Sequence, residues 1–147
     1  MKKTIIGIGL IMLAVLTHPA IARDTINDYS VEEALSVEKV KAAVGSEISF
    51  YFGETAHKEV KKTFGEFRTN KKTNAFGKSD KAACQWAFAS AMKSLKERAI
   101  REGGNAVINI KSNYRDNMTT SDTTFKCGAG GVMAGVALIG EVVELEE

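Results

Sequence analysis

The sequence contains few of the residues that usually bind metals or carry nucleophilic chemistry. Its 147 residues include two histidines and two cysteines. Only one histidine, His57, lies beyond residue 22, and Cys84 and Cys127 lie too far apart for a short Cys-x-x-Cys pair. A structural zinc site would have to combine both cysteines, His57 and a carboxylate. The composition therefore argues against a metal centre, and we expect no metal or other cofactor.

Neither sign of charge predominates in most of the chain. The whole sequence has 20 basic and 18 acidic residues, and the first 22 residues hold Lys2 and Lys3 but no acid. Residues 23–147 therefore carry equal numbers of basic and acidic side chains. Nucleic-acid-binding domains normally carry an excess of positive charge. We therefore expect no nucleic-acid partner.

No apolar run is long enough to span a bilayer as a helix. The longest one at the N-terminus, residues 5–16, has about 12 residues, and a membrane-spanning helix needs about 20. It follows a basic start and precedes Ala20-Ile21-Ala22, a small-x-small cleavage pattern. This order is typical of a secretory signal peptide. We predict a signal peptide over 1–22 that is cleaved after Ala22, and one periplasmic or secreted domain over 23–147 that does not span the membrane.

Export determines how the cysteines are interpreted. In an oxidising compartment an even pair of cysteines indicates a disulfide, so Cys84 and Cys127 are predicted to be bonded. The alternatives are the zinc site described above and a cysteine nucleophile activated by His57. The disulfide is the favoured interpretation, and no catalytic residue is predicted.

Hydrophobic periodicity predicts an α+β fold in which an antiparallel-rich sheet packs against one long helix. Residues 80–102 have an apolar stripe of helical spacing, closed by Gly103-Gly104. A capping box at Ser30 to Glu33 predicts a shorter helical stretch to about Val44, with a break near Ser36. Alternation of apolar and polar residues predicts strands, which cover about residues 46–53, 60–69, 105–113, 122–129 and 132–145. The polar stretch "TNKKTNAFGKSD", residues 69–80, is predicted to be a loop.

The stretch "FKCGAGGVMAGVALIGEVV", residues 125–143, is rich in glycine but does not match a nucleotide-binding motif. Neither the G-x-G-x-x-G spacing nor the Lys-Ser/Thr pair of a P-loop is present. The glycines are therefore interpreted structurally. Gly130-Gly131 is predicted to turn the chain between two strands, and Gly135 and Ala137 are predicted to let the long helix approach the sheet closely.

The order of these segments resembles a known group of proteins. A "GEF" strand, a polar loop, a cysteine opening a helix, "REGGNAVINIKS" and a final cysteine strand resemble RcsF-like and YbjQ-like domains over about residues 64–143. With "FYFG" and "TNKKTNAFGKSDKAACQWAF", the chain is similar to small exported bacterial proteins often labelled as an excinuclease ATPase subunit. ATPase activity is not expected, because no Walker motif is present. The resemblance implies an RcsF/YbjQ-like fold with a disulfide between Cys84 and Cys127. The sequence lacks the second cysteine pair and the proline-rich anchored tail of RcsF.

Two features predict a surface for a partner. Residues 58–81 are rich in lysine, and Lys71, Lys72 and Lys78 within them are candidates for contact with an envelope protein or an anionic envelope component. Trp86 lies opposite the apolar stripe of the helix; we expect the N-terminal segment to cover it, and exposure to a partner is the alternative. The lysines could equally protect a solvated strand edge.

The predicted function is that of a non-enzymatic exported domain that binds a protein or an envelope component. The alternative is a small-molecule or metal-binding module of the YbjQ-like type, which a pocket shared by Tyr51, Lys71 and Trp86 would favour.

The first prediction concerns processing. The mature protein is expected to begin at Arg23, because the basic start, apolar run and Ala-x-Ala pattern together form a cleavable export signal. Intact-mass measurement of exported protein should show that residues 1–22 are missing. Full-length protein with Met1 retained in a cytoplasmic fraction would contradict this.

Overall fold

The computed structural model describes residues 23–147, and the predicted signal peptide lies outside the described residues. Ten helices and strands occur in that part of the chain. They are β1 (Thr25–Ser30), α1 (Val31–Ser36), α2 (Glu38–Val44), β2 (Ser49–Phe52), β3 (Val60–Asn74), α3 (Asp80–Glu102), β4 (Ala106–Tyr114), β5 (Asn117–Thr119), β6 (Thr124–Ala129) and β7 (Met133–Leu145).

The described strands form one mixed sheet of seven strands, and the α+β class is confirmed. The order along the sheet is β1-β6-β7-β4-β2. Off this path, β3 pairs with β7 and β5 pairs with β4. All pairs are antiparallel except β2 and β4, which run parallel. The sheet is therefore antiparallel-rich but not purely antiparallel. A parallel pair needs a long crossover connection, and here β3 and α3 lie between β2 and β4 in the chain.

Helix α3 has the boundaries that its sequence predicts. The Ser79 hydroxyl accepts a hydrogen bond from the Ala82 amide at the start, and Gly103 takes a left-handed conformation with φ of 85° at the end. One side of the helix, including Phe88, Met92 and Leu95, is buried. These side chains pack against the sheet, so the predicted apolar stripe forms the centre of the core.

A disulfide and a row of aromatic rings join α3 to β6. Cys84 and Cys127 are bonded, with their Cα atoms 5.8 Å apart. Phe88, one turn after Cys84, stacks on Phe125 with ring centroids 4.2 Å apart. Both cysteines and both phenylalanines are almost completely buried. Cys84 and Phe88 share a helix face, and Phe125 and Cys127 share a strand face, so the two contacts reinforce each other.

The structure moves one predicted boundary and adds two strands that the sequence did not predict. Strand β3 extends to Asn74, so half of the predicted loop, residues 69–74, is strand, and polar residues there pair with the apolar β7. Strand β1 was not predicted, because its "TINDYS" sequence lacks regular alternation, yet it pairs with β6 at the edge of the sheet. The short β5 lies in a segment that was expected to be an irregular connection. Tertiary pairing overrides weak local preference in each case.

The glycines of the C-terminal stretch have different roles from those predicted, apart from the turn. Gly130-Gly131 does connect β6 to β7. Gly135 faces away from α3, because a Cβ atom added there would contact Tyr114 and Lys72, and Ala137 shares that face by strand alternation. Gly140 is the glycine on the helix side. A Cβ on it would overlap Val107 of β4 at 2.5 Å and lie 3.3 Å from Ile110 of the same strand, whereas Leu95 of α3, at 3.7 Å, is at an ordinary contact distance.

The second prediction concerns the disulfide. Closing a loop across 43 residues should stabilise the fold by roughly 4 kcal/mol in the chain-entropy model. Cys84→Ala, Cys127→Ala and the double variant should lose similar free energies of unfolding, because each removes the same bond. Denaturant unfolding measures this loss.

Thiol titration of the denatured, unreduced protein is the companion measurement, and no free thiol is expected. Two free thiols, or single variants with additive losses, would contradict a disulfide between these residues.

Candidate functional site

The three candidate lysines lie where β3 ends and α3 begins. Lys71 and Lys72 belong to β3, which corrects their predicted position in a loop. Lys78 lies in the turn between β3 and α3, where its Nζ donates a hydrogen bond to the Asn74 carbonyl at 3.0 Å. All three side chains are exposed. We refer to Lys71, Lys72 and Lys78 as the three-lysine surface.

Lys71 and Lys72 point to opposite faces of the sheet, as successive strand residues must. Lys71 pairs with Val136 on the helix side and lines a shallow groove of about 330 Å³ between β3 and α3. Lys72 pairs with Gly135 on the opposite face, where it lines a larger groove of about 620 Å³. The end of β3 therefore presents cations to both sides of the sheet edge.

The rest of the basic run is partly neutralised by its neighbours. Antiparallel pairing with β7 places the start of β3 beside the acidic C-terminus, and Lys61 forms an ion pair with Glu144 at 3.2 Å. Lys81 on α3 is paired with Glu33. No ion pair within residues 23–147 includes a member of the three-lysine surface. Lys58, Lys62 and Arg68 also form no ion pair there, but the end of β3 is distinguished by pairing with residues of β7 that carry no charge.

Trp86 is more exposed than predicted. Its side chain retains 38 % exposure on the outer side of α3. Among the described residues the expected cover is incomplete; the Lys39 ammonium of α2 lies 5.9 Å from the ring centroid. Ser90, one turn further along α3, lines the groove that contains Lys71. Trp86 therefore lies one helical turn from that groove. Tyr51 lines a separate pocket near the C-terminus, so Tyr51, Lys71 and Trp86 do not share the pocket that would have favoured the alternative function.

The larger groove contains a residue that the sequence did not single out. Tyr114, at the end of β4, lies against the Gly128–Gly135 pair of β6 and β7. A Cβ on Gly128 would overlap the Tyr114 ring, so glycine is required for the ring to lie on the sheet. The two-residue turn that brings Tyr114 there has both Arg115 and Asp116 at positive φ. In the sequence, only the glycines at 128 and 135 indicated a contact of this kind. Two glycines paired across a sheet leave room for an aromatic ring, but spacing along the chain does not identify which ring packs on them.

We call this larger groove the Tyr114 groove. Polar side chains form its rim. The Tyr114 hydroxyl donates to Asp24 Oδ1 at 3.4 Å, and Arg115 is paired with the same carboxylate. Burial, together with the nearby Asp24 charge, raises the pKa of Tyr114 above its usual value, at which the phenol is already protonated at neutral pH. The remaining walls are apolar, from Val132, Met133 and backbone glycines.

Arg23 closes one end of the Tyr114 groove. Its guanidinium donates two hydrogen bonds to Asp80 at 2.7 and 2.9 Å and one to the Gly130 carbonyl at 3.0 Å. The hydrogen bond from Arg23 holds the pKa of Asp80 below its usual value. The predicted first residue of the mature chain is thus bound to the start of α3 and to the β6–β7 turn.

The nucleophile and zinc alternatives have no assembled site in the described residues. Both cysteines are in the disulfide, and His57 is exposed, with Nδ1 2.7 Å from the Lys58 carbonyl. Across residues 23–147, no group of three or more histidine, cysteine or acidic side chains is placed to hold a metal ion. In the same part of the chain, none of the helices combines the length and apolarity needed to cross a membrane.

Comparison of the chain with protein-family models, curated proteins and solved structures gives no match.

The third prediction tests the Tyr114 contact. Gly128→Ala should destabilise the fold by about 1–3 kcal/mol, because the added methyl group overlaps a ring that is held on the sheet. In a Tyr114→Ala background the same change should cost much less. Denaturant unfolding of the two single variants and the double variant measures the coupling.

Gly131→Ala is the matched control, because an added Cβ there has no neighbour within 4 Å. It should change the free energy of unfolding by less than about 0.5 kcal/mol. An equal cost of Gly128→Ala in both backgrounds would disprove the contact.

Proposed function

We propose that this chain is an exported, non-enzymatic domain that binds a protein or an anionic component of the bacterial envelope through the three-lysine surface. The observation that carries this proposal is the sorting of charge along β3. At the start of the strand, Lys61 forms an ion pair with Glu144 across the sheet. At its end, Lys71 and Lys72 pair with uncharged residues of β7 and, like Lys78, form no ion pair inside residues 23–147. Unpaired cations at one end of a domain attract anionic partners.

Export and an RcsF/YbjQ-like architecture are part of the same proposal. The N-terminal sequence pattern supports export. A disulfide that joins the long helix to a sheet strand is the arrangement that the resemblance implies, and Cys84 and Cys127 form such a bond. Exposed Trp86, one turn from the groove that contains Lys71, supports a contact surface larger than the lysines alone.

Small-molecule binding is the second candidate function, and the Tyr114 groove favours it. The groove holds about 620 Å³, has mainly apolar walls and carries Lys72 at its rim. Ligand pockets usually combine apolar walls with a few polar groups in this way. An apolar molecule with one negative charge would suit it. A small molecule that copurifies with the native protein, detected by mass spectrometry, would favour this function over partner binding.

The fourth prediction concerns the three-lysine surface. Mature protein with Lys71, Lys72 and Lys78 all changed to glutamate should retain much less material from envelope extracts than the unchanged protein. Thermal stability should stay nearly the same, because exposed charges contribute little to folding. Affinity capture with mass spectrometry measures retention, and added salt should weaken it.

A variant with Lys41, Lys58 and Lys62 changed to glutamate is the control. It has the same net charge, but its changes lie outside the three-lysine surface. Equal loss in both variants would mean that net charge alone drives retention. If the variant changed at Lys71, Lys72 and Lys78 retains as much envelope material as the unchanged protein at low salt, the three-lysine surface contacts solvent and binds no partner.

A further inference from the structure

A well-ordered turn presents an aromatic side chain to solvent at the end of the domain. In the turn between β3 and α3, the Phe76 amide donates to Asn74 Oδ1 at 2.7 Å and the Lys78 amide donates to the Ala75 carbonyl at 3.1 Å. Gly77 supplies the left-handed conformation, with φ of 71°. Phe76 itself remains 76 % exposed. The turn is therefore fixed by hydrogen bonds while its largest apolar side chain makes few contacts.

The turn between β6 and β7 brings two more apolar side chains to the same place. The Ala75 amide donates to the Val132 carbonyl at 2.7 Å, and Asn74 pairs with Met133. Val132 is 63 % exposed and Met133 is 46 % exposed. We call Phe76, Val132 and Met133 the apolar tip. Single exposed apolar residues are common, whereas a cluster on neighbouring turns indicates a contact surface.

The charges around the apolar tip are positive. Lys78 follows Phe76 in the same turn, and Lys72 lies two residues before Asn74 on β3. Two acidic side chains at this end of the domain are neutralised, since Asp80 is paired with Arg23 and Asp24 with Arg115. The tip thus combines exposed apolar groups with lysines that form no ion pair in the described chain.

We propose that the apolar tip docks this protein onto the surface of an anionic phospholipid bilayer. This rests on the proposed function and names the anionic envelope component as a membrane. Phe76 and Val132 enter the boundary between headgroups and acyl chains, while Lys72 and Lys78 contact headgroup phosphates. Shallow insertion of apolar side chains beside basic residues is how peripheral proteins bind membranes, and long lysine side chains reach the headgroups while their methylenes stay apolar.

A tryptophan placed at the tip tests insertion directly. In a Trp86→Phe background of the mature protein, Phe76→Trp gives one fluorophore at the tip. Its emission should shift to the blue with vesicles of phosphatidylcholine and phosphatidylglycerol, and not with phosphatidylcholine alone. Ile100→Trp in the same background is the control, because Ile100 is exposed near the other end of α3. It lies about 30 Å along the helix from the start of α3 and should not shift.

Vesicle partitioning tests the two parts of the surface. Lys72→Gln with Lys78→Gln should lower the partition coefficient about 30-fold, and Phe76→Ser should lower it about 10-fold or more. High salt should reverse binding of the unchanged protein. The absence of a blue shift at position 76, or equal binding to neutral vesicles, would overturn the proposal.

Vesicle binding and affinity capture, measured on the same mature protein, separate membrane docking from the binding of an envelope protein. Membrane docking would be overturned, and partner binding would stand, if the protein does not bind anionic vesicles but retains an envelope protein through the three-lysine surface. Protein that binds vesicles and retains no envelope protein would support docking to lipid alone.

Discussion

The contact between α3 and β6 is the constraint on which the other features depend. The Cys84–Cys127 bond and the stacked rings of Phe88 and Phe125 hold the start of the helix on one particular strand. Because the helix starts there, Asp80 comes within reach of Arg23, and the turn that carries Phe76 meets the β6–β7 turn. The buried contact between α3 and β6 therefore determines where Arg23, Asp80 and the Phe76 turn lie at the surface.

The pairing of β3 with β7 acts on the charges in a comparable way. Along the sequence the lysines of residues 58–81 form one continuous run. Folding places the first part beside the glutamates that follow Gly140, and the last part beside glycines and exposed apolar residues. The run is thus divided by its cross-strand neighbours, which are acidic beside its first part and uncharged beside its last part, although Lys58 and Lys62 form no ion pair either. This division makes Lys71, Lys72 and Lys78 more suitable than Lys58, Lys61 or Lys62 for binding an anionic partner.

The glycines show how one residue type serves different purposes on the two faces of a strand. Gly140 leaves room for Val107 of β4 on the helix side of β7, and Gly135 lies beneath Tyr114 on the other side. Gly128, paired with Gly135, completes the floor beneath the tyrosine ring. The β4–β5 hairpin can therefore lay Tyr114 on the face of the sheet away from α3, while side chains of β4 pack beside Gly140 on the face that α3 covers.

The sequence by itself determined the long helix and its caps, the α+β class and the disulfide. Each of these follows from local information: the apolar stripe of residues 80–102, the Ser79 and Gly103 signals, and two cysteines in a chain with an export pattern. Only the tertiary structure decided that Lys71 and Lys72 lie on a strand, that β2 and β4 run parallel, that Trp86 is exposed and that Tyr114 covers two glycines. Those features depend on which segments, distant in the sequence, pair with each other. The free energy of that pairing comes from contacts between the segments, and the spacing of residues along the chain does not specify which segments meet.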